Sequence, residues 1–187
     1  MSAILTSNLG YDLDEVLSHS MEIDPPAGRC DVVPYNHGKI IVDYAHTPDA
    51  VEKIITSFQE HNHGRIISIV GCGGDRDKTK RPIMGNIASN NSDYVIVTSD
   101  NPRTEDPMDI INDIIPGIKR NNYIIAPDRV EAIHKGIDML NPEDTLLILG
   151  KGHENYQIIG KTKYHMDDKE IASEYVKEKE DAKKLKK

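Results

Sequence analysis

The chain has 187 residues, 37% hydrophobic and 29% charged, with a formal net charge of -8. That suffices for one domain with a core plus an appendage, and the acidic balance argues against general nucleic-acid binding, which needs a basic face. No apolar run reaches membrane-spanning length, no signal-peptide pattern is present, and Cys30 and Cys72 are the only cysteines, so a cytoplasmic protein without membrane contact or a disulfide framework is expected.

Residues 1–37 carry less pattern than a full domain requires. Leu13, Val16 and Leu17 predict a short helix, Pro25-Pro26-Ala27-Gly28 breaks it, and Asn36-His37-Gly38-Lys39 predicts a hairpin turn. From Lys39 onward the periodicity changes. Residues 39–43, 65–70, 94–97, 123–125 and 145–149 form short, β-branched, nearly continuous apolar runs. Such runs are the pattern of strands buried on both faces. Amphipathic helical stretches separate them. Thr47-Pro48 and Asp106-Pro107 each place a capping side chain before a proline at the first helical position, and Asp128 and Glu131 have capping-box spacing. A last helix is expected from Asp167, ending in Lys183-Lys184-Leu185-Lys186-Lys187, where cations suit the helix dipole. The alternation predicts right-handed βαβ units, hence an α/β fold with an open, mainly parallel sheet and helices on both faces.

Four loops follow four of these strands and should gather along one edge of the sheet, where open α/β sheets bind ligands. In the first, Asp43 to Asp49, Thr47 and Pro48 are explained by helix capping. Asp43 is a candidate for ribose hydroxyls and His46 for a nucleotide contact; a metal pair is the weaker alternative, because a third ligand would have to come from elsewhere. The second, Gly71 to Pro82, combines three glycines that let the backbone approach a ligand with Arg76, Lys78, Lys80 and Arg81. It is not a dinucleotide fingerprint, since Arg76 stands where the third glycine belongs. Arg76, nearest the glycines, is the candidate anion contact. The third, Asp100-Asn101-Pro102-Arg103, is stiffened by its proline and offers a guanidinium fork suited to a carboxylate or phosphate. The fourth, Gly150 to Tyr156, offers Glu154 and the Gly150 carbonyl as acceptors for an ammonium group. Gly160-Lys161-Thr162 imitates the end of a phosphate loop, but Asn155 occupies the place of the required glycine, and a hairpin turn is the expectation. Cations, an amide and a carboxylate around one cleft suit a zwitterionic ligand with more than one charged end.

Asp43 to Ala50 (DYAHTPDA), Gly71 to Pro82 (GCGGDRDKTKRP), Asp100 to Arg103 (DNPR) and Gly150 to Gln157 (GKGHENYQ) together resemble the Mur ligases of bacterial peptidoglycan synthesis, specifically the MurE type. The resemblance implies a Rossmann-like C-terminal domain over residues 38–187, with residues 1–37 the end of a central ATPase domain and a linker. It implies an ATP-dependent ligase that joins meso-diaminopimelate to UDP-MurNAc-L-Ala-D-Glu through an acyl phosphate. By the same resemblance Arg76, Asp100, Asn101, Pro102 and Arg103 bind diaminopimelate, with Gly150 and Glu154 at its distal ammonium group. Arg29, Asp43 and His46 touch ATP. No catalytic residue and no Mg2+ ligand is expected in this chain, because the phosphate loop, metal ligands and modified lysine of the family lie in the central domain. The isolated chain is then inactive, reaching the UDP-linked substrate only through the missing domains. A stand-alone diamino-acid binding module is the alternative; a nucleotide-dependent dehydrogenase is disfavoured by the absent fingerprint.

Overall fold

Each apolar run becomes a strand because its β-branched side chains fit a pleated surface covered on both sides. The computed structural model describes residue 12 and residues 26–184; the short helix expected around Leu13 and the basic end at 185–187 lie outside the described residues. In chain order the described elements are β1 (Asp31–Val33), β2 (Lys39–Asp43), α1 (Pro48–Gln59), β3 (Ile66–Val70), α2 (Lys80–Asn91), β4 (Tyr94–Val97), α3 (Pro107–Ile114), β5 (Tyr123–Ile125), α4 (Arg129–Asp138), β6 (Thr145–Leu149), β7 (Tyr156–Ile159), β8 (Thr162–His165) and α5 (Asp168–Lys184). The expected α/β architecture is present. A six-stranded sheet runs in the order β1-β2-β6-β3-β4-β5, parallel throughout except for the β1–β2 pair.

β1 was not anticipated: Asp31-Val32-Val33 offers only two apolar residues after an acid. It lies on the N-terminal side of the boundary expected between residues 37 and 38, and joins the sheet through the hairpin turn expected at Asn36 to Lys39. The turn at Gly160-Lys161 connects β7 and β8, as expected.

α1, α2 and α3 cover one face, packing Val51, Ile55, Met84, Ala88 and Ile110 onto Ile41, Val70, Val97 and Leu147. α4 and α5 cover the other, packing Ala132, Ile133, Ala172 and Val176 onto Ile40, Ile67, Ile96 and Ile148. Helix starts follow local chemistry. Thr47 Oγ1 accepts from the Ala50 amide, Asp106 from Met108, and Asp128 from Glu131. The Glu131 carboxylate pairs with Lys135 in the next turn, so only the Asp128 half of the expected capping box is made. Asp167 caps α5 through the Lys169 and Glu170 amides.

The chain leaves β2, passes the place of β6, and fills β3, β4 and β5 in turn. α4 then returns on the opposite face and β6 enters the gap between β2 and β3. Connections leave neighbouring strands toward opposite faces there, which opens a crevice beyond the carboxyl ends of β2, β6, β3 and β4.

Candidate functional site

A cleft of about 400 Å³ fills that crevice. Its wall includes His46 from the loop after β2, Gly73 and Arg76 from the loop after β3, Asp100, Asn101 and Arg103 from the loop after β4, and Gly150 and Glu154 from the loop after β6. All four predicted loops therefore meet.

The loops after β3 and β4 are sewn together. The Gly74 amide donates to the Asn101 carbonyl at 2.9 Å, Arg103 Nη1 donates to the Gly74 carbonyl at 2.8 Å, and Thr104 Oγ1 donates to Asp75 Oδ1 at 2.6 Å. A Cβ at Gly74 would sit 1.9 Å from the Pro102 carbonyl oxygen, so the approach itself requires glycine. Arg103 adopts φ +53, a left-handed conformation costing an ordinary residue about 1–3 kcal/mol. Two bonds from the β7–β8 hairpin hold it there: the Arg103 amide donates to the Ile158 carbonyl at 3.0 Å, and the Gly160 amide donates to the Arg103 carbonyl at 2.6 Å.

The cations of the glycine loop divide into two groups. Arg81 is buried and pairs with Glu105 and Asp113 at 2.8 Å each; Lys78 also pairs with Glu105. The Arg81 guanidinium first, then Lys78 and the Asp75 amide, hold the Glu105 carboxyl well below the usual carboxylate range. These cations build the loop. Arg76 makes no hydrogen bond or ion pair among the described residues, and Arg103 makes no ion pair among them, so both bring unneutralised positive charge to the cleft.

The acidic side lies where the loops after β4 and β6 meet. Asn101 Nδ2 donates to Glu154 Oε2 at 2.9 Å, and Asn101 Oδ1 accepts from the Ile158 amide at 2.9 Å and from Lys151 Nζ at 3.2 Å. Lys151 is fully buried. Burial, and then the Asp100 charge, push the Cys72 thiol up to about 12, so this cleft thiol is not a ready nucleophile. Beneath the cleft the buried Arg129 donates to both oxygens of the buried Asp168. Its remaining donors reach the Leu149 and Ser99 carbonyls, tying the ends of β6 and β4 to the start of α5.

Three predicted residues stand outside the cleft wall. Pro102 is buried behind it. Asp43 is buried, with Oδ1 accepting from the Ala45 amide at 2.8 Å and Oδ2 from the Cys30 amide at 2.9 Å. Arg29 lies 5.2 Å over the Tyr44 ring, which also packs against His46 and His153 at the rim. Sequence reasoning missed Lys151, Arg129 and the buried role of Arg81. Arg129 was findable, since it shares the helical stripe of Ala132, Ile133 and Gly136. Among the described residues no group of three or more His, Cys, Asp or Glu side chains is placed to hold a metal ion.

The model of the Mur ligase, glutamate ligase domain family matches residues 28–152. The chain is 49% identical over 174 residues to UDP-N-acetylmuramoyl-L-alanyl-D-glutamate–2,6-diaminopimelate ligase 1 of Clostridium acetobutylicum, covering 91% of this chain and 36% of that relative. It is 54% identical over 151 residues to the 2,6-diaminopimelate ligase of Clostridioides difficile, covering 79% and 31%. A solved UDP-N-acetylmuramoyl-L-alanyl-D-glutamate–2,6-diaminopimelate ligase superposes with a TM-score of 0.79 at 35% identity, over 95% of this chain and 37% of that one. The chain thus spans about a third of the length of these relatives. With the match over residues 28–152, the chain belongs to the Mur ligase family and carries its glutamate ligase domain.

Proposed function

We propose that this chain is the amino-acid-binding part of an ATP-dependent amide ligase that adds meso-diaminopimelate to UDP-MurNAc-L-Ala-D-Glu in cytoplasmic peptidoglycan synthesis, and that it is inactive alone. The observation that carries the reading is the charge layout of the cleft: two guanidinium groups without carboxylate partners among the described residues, Arg76 and Arg103, share it with the carboxylate of Glu154. A diamino diacid supplies the complementary charges. Arg76 and Arg103 receive its carboxylates, with the remaining amide N–H of Asn101 beside them. Glu154 and the Gly150 carbonyl receive the distal ammonium. Asp100 and Pro102 hold the loop in shape.

The rim cluster of Arg29, Tyr44, His46 and His153 offers a cation and flat rings, which fit a nucleotide. Asp43, already engaged by two backbone amides, supports that rim. ATP, when bound, supplies the phosphoryl group that activates the glutamate carboxylate; we assign none of this chain's residues to Mg2+. The UDP-linked substrate would be held by the rest of the enzyme.

The test is Arg103→Ala, titrated calorimetrically with meso-diaminopimelate and with L-lysine. Losing a charge-assisted pair costs about 1.5–3 kcal/mol. We expect that loss for diaminopimelate and little change for lysine, which has no second carboxylate. Equal losses for both would contradict the assignment.

A further inference from the structure

Lys151 lies two residues beyond the end of β6 and its side chain is fully buried, an unusual setting for an ammonium group unless it is paired. Its Nζ lies 3.2 Å from Asn101 Oδ1, 3.5 Å from Asp100 Oδ1 and 3.6 Å from Glu154 Oε2. Two carboxylates and one ammonium leave this cluster one net negative charge. The neighbouring Arg129 fork is occupied by Asp168 and two carbonyls. Asp100 Oδ1 is buried and takes no hydrogen bond from any described residue.

The network also fixes directions. Asn101 Oδ1 is turned toward two donors, Lys151 and the Ile158 amide, which leaves Nδ2 facing Glu154. Asn101 Nδ2 and Lys151 Nζ both meet Glu154 at Oε2. Oε1 takes no hydrogen bond from any described residue, and Glu154 lines the cleft.

We propose that Lys151 is a positioning residue for ammonium recognition. It neutralises one of two carboxylates and, through Asn101 and Glu154 Oε2, presents Glu154 Oε1 to a ligand bearing a single ammonium group at that end. A site with both carboxylates uncompensated would take up a proton or a metal cation instead; a site with none would not attract the amine. The inference rests on the reading of the cleft as an amino-acid site, and explains how that site obtains its charge.

The test uses the full chain, with Lys151→Met, Glu154→Gln and the paired variant, whose cluster keeps the wild-type net charge and guards against loss of folding in Lys151→Met. Calorimetry compares meso-diaminopimelate with 2-aminopimelate, which keeps both carboxylates and lacks the distal amine. We expect wild type to favour diaminopimelate by about 10- to 100-fold. Lys151→Met should cut that preference to about threefold or less, and it should cost nothing further in the Glu154→Gln background, as coupling through one partner requires. Equal weakening toward both ligands, or an unchanged preference, would overturn the proposal. A ligand-independent arm follows the Lys151 ammonium by 15N NMR. A slowly exchanging signal that Glu154→Gln perturbs supports the clamp, and absence of that signal overturns it. Failure of wild type to bind diaminopimelate would count against the amino-acid reading, while the NMR arm still decides the clamp.

Discussion

Arg129 shows how much one buried side chain can organise. Its fork joins the ends of β4 and β6 to the first turn of α5 through Asp168, and so sets the spacing of two loops that line the cleft. Removing one member of a buried pair leaves the other charge uncompensated, at a cost of about 3–5 kcal/mol. Arg129→Met should therefore lower unfolding stability by about that amount in urea titration; a loss below about 1 kcal/mol would show that Asp168 finds another partner or takes up a proton. The cleft's cations were only partly legible in the sequence. Arg76, Lys78, Lys80 and Arg81 read alike as a basic run, and only the fold reveals that Arg81 and Lys78 serve Glu105 while Arg76 has no partner among the described residues. Lys151 was invisible for the opposite reason: a lysine between two glycines reads as exposed, and its burial depends on Asp100 and Asn101 arriving from the loop after β4.

Among elements, the clamp of Arg81 on α2, Glu105 before α3 and Asp113 on α3 holds the glycine loop against the loop after β4. The Glu105 carboxyl is held below its ordinary 4.5 by Arg81 first, then by Lys78 and the Asp75 amide. A carboxylate whose folded pKa is depressed stabilises the fold above its unfolded value, and the contribution fades as pH falls toward the folded value. The stability gap between wild type and Glu105→Gln should thus be full near neutrality and shrink as pH falls below about 4.5. Denaturation curves at several pH values measure it, and a gap independent of pH would contradict the role of this ion pair. Strands and helix starts were readable here because continuous β-branched runs and Thr47-Pro48, Asp106-Pro107 and Asp128 act locally. β1 was not, because Asp31-Val32-Val33 offers only two apolar residues after an acid, whereas the equally short β5, Tyr123-Ile124-Ile125, is apolar throughout.

At the scale of the molecule, the entry of β6 between β2 and β3 converts motifs spread from Asp43 to Glu154 into one cleft. Alternation of strands and helices predicts the α/β class, and the rule that ligands bind at strand carboxyl ends predicts that the loops share an edge. Strand order, and with it which loops touch, depends on long-range pairing that local pattern does not encode. The fold and the family are consistent with a part of a ligase, since the chain spans about a third of its relatives. The central claim is that the cleft recognises a molecule with two carboxylates and an ammonium at its far end. Calorimetric titration of the unmodified chain with meso-diaminopimelate and L-lysine tests it most directly. The account predicts tighter binding of diaminopimelate by about tenfold or more, the worth of one charge-assisted pair. Equal affinities, or a preference for lysine, would contradict it.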